Sequence, residues 1–193
     1  MAESKPARLI LASASPARRE LLSRLGHPFE VIPADIDEPQ SGFADPRSFV
    51  QTVSWLKAAA VAPRIDDGIV LAADTIAWIN DHPILKPADE DDARGILREM
   101  AGGEHDLWTG VVLWRRPDDL QLLWQEQTRV AVAPLSESEL DVYLATRSWR
   151  GHSGAYAIME KNDPYVRVVS GSITNVIGLP LESLAKYLHL LGL

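Results

Sequence analysis

Short apolar runs alternate along the chain with stretches whose apolar residues recur at helical spacing. Arg8 to Ala12 is strand-sized and leads into Ser15-Pro16, which reads as a helix N-cap and first helical residue; Leu21, Leu22 and Leu25 form the packing stripe, and Gly26 ends it. Phe29 to Ile32 suggests a second strand. An acidic loop, ADIDEP, separates it from a helix starting near Asp45-Pro46, with Phe49, Val53, Leu56 and Ala60 at helical spacing and an end before Pro63.

Ile69 to Ala73 is a continuous apolar run of the kind expected in a strand buried on both faces, and Asp74 closes it. Asn80-Asp81 is placed to turn a hairpin before Ile84 and Leu85. Lys86-Pro87 then leads to a helix with Ala93, Ile96, Leu97 and Met100 on one side, stopped by Gly102-Gly103. Strands near Leu107 to Trp114 and Leu122 to Ala133 flank a turn at Pro117 to Asp119. Ser136 to Glu139 is a capping box, Tyr165 to Val169 a further strand, and a Gly/Ser-rich turn leads to a final helix after Pro180. The pattern predicts a mixed α/β architecture without repeats or linkers.

Composition narrows the functional classes. With 193 residues, 46% of them apolar, the chain has enough material for a substantial core. There is no cysteine, which removes disulfides, thiolate nucleophiles and sulfur-ligated metals and fits a reducing compartment. No apolar run approaches the ~18 residues of a membrane span, and MAESKPARLI lacks an apolar signal core, so the expectation is a soluble, cytoplasmic protein. A formal charge of −8 argues against nucleic acid as a partner. Any polyanionic ligand would need local cations and a metal ion to offset nearby carboxylates.

Several charged residues break local rules. Arg18 and Arg19 fall in the first turn of a helix, where the backbone dipole favours carboxylates; either they are solvated surface groups paired with acids such as Glu20, or Arg18 joins the exposed N–H groups around an anion. Lys57 lies on the stripe Val50, Val53, Lys57, Val61. Its ammonium either snorkels to solvent or lines a cleft. Lys86 stands on a connection after a predicted strand. Asp74, at the end of an apolar strand, must be a helix N-cap, or be paired, solvated or metal-bound. Asp35, Asp37 and Glu38 are either solvated charge or a source of hard oxygen ligands for magnesium.

Read together, LASASPARRELL, DIDEP, WLKAAAV, VLAADT, LKPADEDDARGILREMAGGEHDLWTGV, WRGHSGAYAI and GSITNVIGLPL resemble the successive motifs of the Maf family. The resemblance spans nearly the whole chain, residues 1–193 as one domain. It implies a nucleoside triphosphate pyrophosphatase with an elongated mixed β-sheet flanked by helices and two lobes around a central cleft. Also implied are a divalent cation, Mg2+ or Mn2+, a nucleoside triphosphate substrate and a homodimer. The family is also named for inhibition of septum formation, so a nucleotide-binding regulator of cell division without turnover is the alternative; clearing of surplus or non-standard nucleotides is the role that goes with turnover.

Carried over by position, the resemblance makes Asp74 the proton acceptor and Glu38, with Asp74, the acidic metal position, Asp37 being a neighbour. Arg18, Lys57 and Lys86 would grip the triphosphate, Ser13 and Ser15 would line its phosphate end, and Thr75 matches a position linked to base selection. Ala17 stands where pyrimidine-type members have arginine and the 7-methyl-GTP type a bulky aromatic. Met159 stands where pyrimidine-type members have glutamine, and His152 replaces a frequent lysine. These departures fall on the nucleobase reader and leave the phosphate-binding set intact. Hydrolysis between the α- and β-phosphates needs a water in line with the leaving pyrophosphate, cations against the phosphoryl oxygens and a proton acceptor.

Overall fold

The computed structural model describes residues 8–39, 41–158 and 163–193. Met159 therefore lies outside the described residues. The elements run β1 (Leu9–Leu11), α1 (Pro16–Ser23), β2 (Phe29–Val31), α2 (Pro46–Val61), β3 (Gly68–Ile79), β4 (His82–Ile84), α3 (Glu90–Met100), β5 (Glu104–Arg116), β6 (Gln121–Val132), α4 (Glu137–Ala145), β7 (Val166–Ser170), α5 (Ile173–Ile177) and α6 (Leu181–Leu190). Side-chain caps set the helix starts: Ser15, Asp45, Asp89 and Ser136 each accept from a backbone N–H three residues on. Ser136 and Glu139 complete the expected capping box.

The strands form one mixed sheet in the order β2-β1-β3-β5-β6-β7, with β4 also on β3. β1 runs parallel to β2 and β3, and the remaining pairs are antiparallel. Positive φ values of 45° at Asn80 and 64° at Asp81 make the tight β3-β4 hairpin, since both central residues of such a turn must leave the usual region.

Side chains alternate across β3, so Val70, Ala72, Asp74 and Ile76 face α2, while Ile69, Leu71, Ala73, Thr75 and Ala77 face the other way. α2 buries Val50, Val53, Lys57 and Val61 against the first set. Burying a valine fully stabilises by about 1.5–3 kcal/mol. On the opposite face α1 and α6 pack Leu21, Leu22, Leu184 and Leu188 over β1 and the first half of β3, and α3 and α4 pack Leu97, Met100, Leu140 and Leu144 over β4, β7 and the last residues of β3. Gly110, paired with Asp74 across the β3-β5 ladder, lets α2 come close: a Cβ there would stand 2.4 Å from the Val50 carbonyl oxygen.

Two expectations need correction. Asp74 does not close its strand; β3 continues through it to Ile79. A carboxylate is held in mid-strand because Lys57 of α2 meets it. The segment before Pro180 is also more than a turn: Ser172 caps α5, a short helix of largely β-branched residues that propensity alone assigns to extended chain. Among the described residues no helix is long and apolar enough to cross a membrane.

Candidate active site

Two strand ends open the site. β1 pairs with β3 as far as Leu71, and β4 pairs with β3 from Ala77, so among the described residues the β3 edge between these points carries no strand. A cleft of about 1090 Å³ lies there, off the carboxyl end of β1. Sheets of this kind bind ligands where neighbouring strands part, because the loops diverge there.

The structure brings the expected residues to this one cleft. Ser13, Ser15, Ala17 and Arg18 line it from the β1-α1 junction, Glu38 from the loop after β2, Lys57 from α2, Asp74 and Thr75 from β3, and Lys86 from the segment after β4. Asp35 and His152 also reach the lining, and Asp37 does not.

Lys57 is the hinge of the charged wall. Its Nζ donates to Asp74 Oδ1 at 2.7 Å and stands 2.9 Å from Glu38 Oε1. The Lys57 and Asp74 side chains are 9% and 8% exposed, so the snorkelling alternative fails: the ammonium ends between two carboxylates. α2 presents Lys57 inward because it occupies the same stripe as Val50, Val53 and Val61.

Arg18 answers the puzzle of a cation in a first turn. Its side chain leaves the α1 dipole and reaches the residue that ends α5, with Nε donating to Gly178 O at 2.8 Å and Nη2 to Thr75 Oγ1 at 3.0 Å. Burial pulls the guanidinium down from its usual pKa, while the charges of Asp74 and Glu38 oppose that shift. Arg19 points to solvent. Ser15 Oγ is engaged as the α1 cap, and Ser13 Oγ accepts from Ser15 N at 3.2 Å, which orders the turn that carries both.

The other end of the cleft is apolar, walled by Leu107, Tyr156, Ile158 and Val176. Behind it Tyr156 Oη lies 2.9 Å from Nε2 of His105, whose burial lowers its pKa to about 4. Two residues with no assigned role lie under this floor. Thr109 interrupts the apolar β5 run, and Asn175 is wholly buried in α5. The signal in the sequence was a small polar residue inside each of two apolar motifs, DLWTGV and SITNVIG.

A family model described as Maf-like protein matches residues 8–191. The chain belongs to the Maf family. A relative from Pelotomaculum thermopropionicum named dTTP/UTP pyrophosphatase is 38% identical over 184 residues, covering 95% of this chain and 96% of the relative. Another of that name from Rhodopirellula baltica is 39% identical over 187 residues, covering 95% and 82%. Among solved structures, a HAM1 protein from Coxiella burnetii aligns with a TM-score of 0.54 at 16% identity, over 95% of this chain and 98% of that one. That likeness extends the Maf fold to a distant neighbour.

Proposed function

We propose that the chain hydrolyses a nucleoside triphosphate between its α- and β-phosphates, releasing the monophosphate and pyrophosphate. One observation carries the reading: Arg18, Lys57, Asp74 and Glu38 converge on one cleft, with Lys57 bridging the two carboxylates. An entering polyphosphate offers Lys57 a stronger anionic partner, with Arg18 and the exposed Lys86 as further donors. A Lys57 drawn toward phosphate frees Asp74 to accept the proton of the attacking water. Ser13 and Ser15 line the phosphate end. Thr75 and Ala17, with Met159 by resemblance, belong to the base end, where the apolar wall receives the ring.

A divalent cation, Mg2+ or Mn2+, fits the donor set. Among the described residues no group of three or more acidic or histidine side chains gathers to cage a metal, but Glu38 and Asp74 supply the one or two carboxylates that suffice when substrate phosphates and water complete the shell. When bound, such a cation supplies positive charge against the phosphate oxygens. The proposal includes a cytoplasmic setting, which the lack of cysteine suits, a homodimer on the strength of the family likeness, and clearance of surplus or non-standard nucleotides.

The names of the relatives put dTTP and UTP first in a panel of ordinary and modified triphosphates assayed with magnesium and with manganese. Wild type should release pyrophosphate, and Asp74→Asn should lower turnover by about 10²–10⁴-fold, the usual worth of a general base, with circular dichroism unchanged. Near-wild-type turnover in that variant removes Asp74 from the chemistry. Tight triphosphate binding without any product would favour a regulator over an enzyme.

A further inference from the structure

Beneath the cleft floor a chain of hydroxyls runs from Arg18 to the backbone of α5. Thr109 Oγ1 donates to the carbonyl of Asn175 at 3.1 Å. A hydroxyl has one proton, so across the 2.9 Å contact between Thr75 and Thr109 it must be Thr75 that donates. With its proton spent on Thr109, Thr75 Oγ1 turns a lone pair to the Nη2 of Arg18 at 3.0 Å. The order is thus Arg18 to Thr75 to Thr109 to the Asn175 carbonyl, each link donating to the next.

The far end of the chain is fixed. Asn175 is wholly buried, and the two protons of its Nδ2 are shared among three acceptors, Thr128 Oγ1 at 3.0 Å and the carbonyls of Glu126 at 3.3 Å and Leu107 at 3.4 Å. Three acceptors on β5 and β6 pin α5 to the sheet, and three residues on, Gly178 offers its carbonyl to Arg18 Nε. The turn into α5 requires Gly171, with φ +99°, because a Cβ would stand 2.5 Å from Thr128 Oγ1. Both hydrogen bonds that orient the guanidinium therefore trace back to α5, one directly and one through two threonines.

We infer that Thr109 is a positioning residue: held by Asn175, it sets the proton order that fixes Arg18 toward the triphosphate. This rests on the reading that Arg18 binds substrate. Valine at 109 keeps the shape of threonine and removes the hydroxyl, leaving the Thr75 proton without an acceptor. Thr75 then has no partner that fixes its hydroxyl rotamer, its proton is left unpaired, and the second anchor of the guanidinium is weakened.

The test is titration of a nucleoside triphosphate analogue with an α,β-methylene linkage, which is not cleaved at that bond, into wild type, Thr109→Val, Thr109→Ser, Arg18→Lys and the Thr109→Val/Arg18→Lys double variant. Thr109→Val should bind about tenfold more weakly, the scale of one charge-assisted hydrogen bond, and Thr109→Ser should restore affinity to within about threefold. In the Arg18→Lys background, Thr109→Val should add less than about twofold, because the group it orients is gone. Affinity of Thr109→Val within about twofold of wild type, or losses that multiply in the double variant, would overturn the inference. If Thr109→Val is not recovered folded, Thr109→Ala read against Thr109→Ser makes the same comparison. A wild type that shows this coupling but releases no pyrophosphate from a natural triphosphate sinks the proposed activity and leaves the relay standing.

Discussion

Replacing Lys57 by methionine keeps most of the aliphatic stem against α2's neighbours and deletes the ammonium that bridges Asp74 at 2.7 Å and Glu38 at 2.9 Å. The Asp74 side chain is 8% exposed and that of Glu38 34%, so Glu38 keeps a share of solvent and Asp74 does not. Removing one partner of a buried pair costs about 3–5 kcal/mol, because the surviving charge stays desolvated without compensation. For a chain of this size each kcal/mol moves the thermal midpoint by roughly 2–4 °C, so Lys57→Met should melt about 6–20 °C below wild type. Thermal unfolding followed by circular dichroism at neutral pH measures this. Adding Asp74→Leu should recover most of the loss, since an apolar pair of similar volume is near neutral in such places. A Lys57→Met midpoint within about 2 °C of wild type would refute the reasoning, because a solvated ammonium is what shifts so little.

Two further predictions follow the same geometry. His105 is kept neutral by burial, with its pKa lowered to about 4 from 6.5, so between these values the unfolded chain binds the extra proton and the folded chain does not. Stability from this group is complete above pH 6.5 and drains away as pH falls toward 4, amounting to roughly 3 kcal/mol at about 1.36 kcal/mol per unit. Denaturant unfolding of wild type and His105→Gln across that range should show the difference, and equal pH slopes would contradict it. Gly110→Ala should force α2 off the sheet, since the new Cβ meets the Val50 carbonyl oxygen at 2.4 Å, costing about 1–3 kcal/mol and drawing Lys57 from Asp74. The thermal midpoint and pyrophosphate release should fall together; an unchanged midpoint would show that α2 does not rest there.

Much of this architecture was legible because local signals agree with the fold. Ser15-Pro16, Asp45-Pro46 and Ser136-Glu139 mark helix starts through side-chain caps that act within three residues, and the structure uses all of them. Lys57 stood out as a cation on an apolar stripe, and Asp74 as a carboxylate after an apolar run. What the pattern did not reveal lies in contacts between distant segments. Asp74 resembles a strand end only until Lys57, 17 residues earlier, is seen to meet it. Arg18 makes sense in a first turn only beside Gly178, 160 residues away. α5 is helical against the β-branched preference of Ile173, Thr174, Val176 and Ile177, held by the Ser172 cap and by Asn175 on β5 and β6. Thr109 and Asn175 gained meaning only when strand register placed Thr109 opposite Thr75.

The most direct test of the proposed chemistry is hydrolysis of a nucleoside triphosphate in ¹⁸O-labelled water, followed by phosphorus NMR. Water attacking the α-phosphorus, with pyrophosphate leaving, predicts unlabelled pyrophosphate and a nucleoside monophosphate that carries the label. Orthophosphate with nucleoside diphosphate, or label in the pyrophosphate, would contradict it.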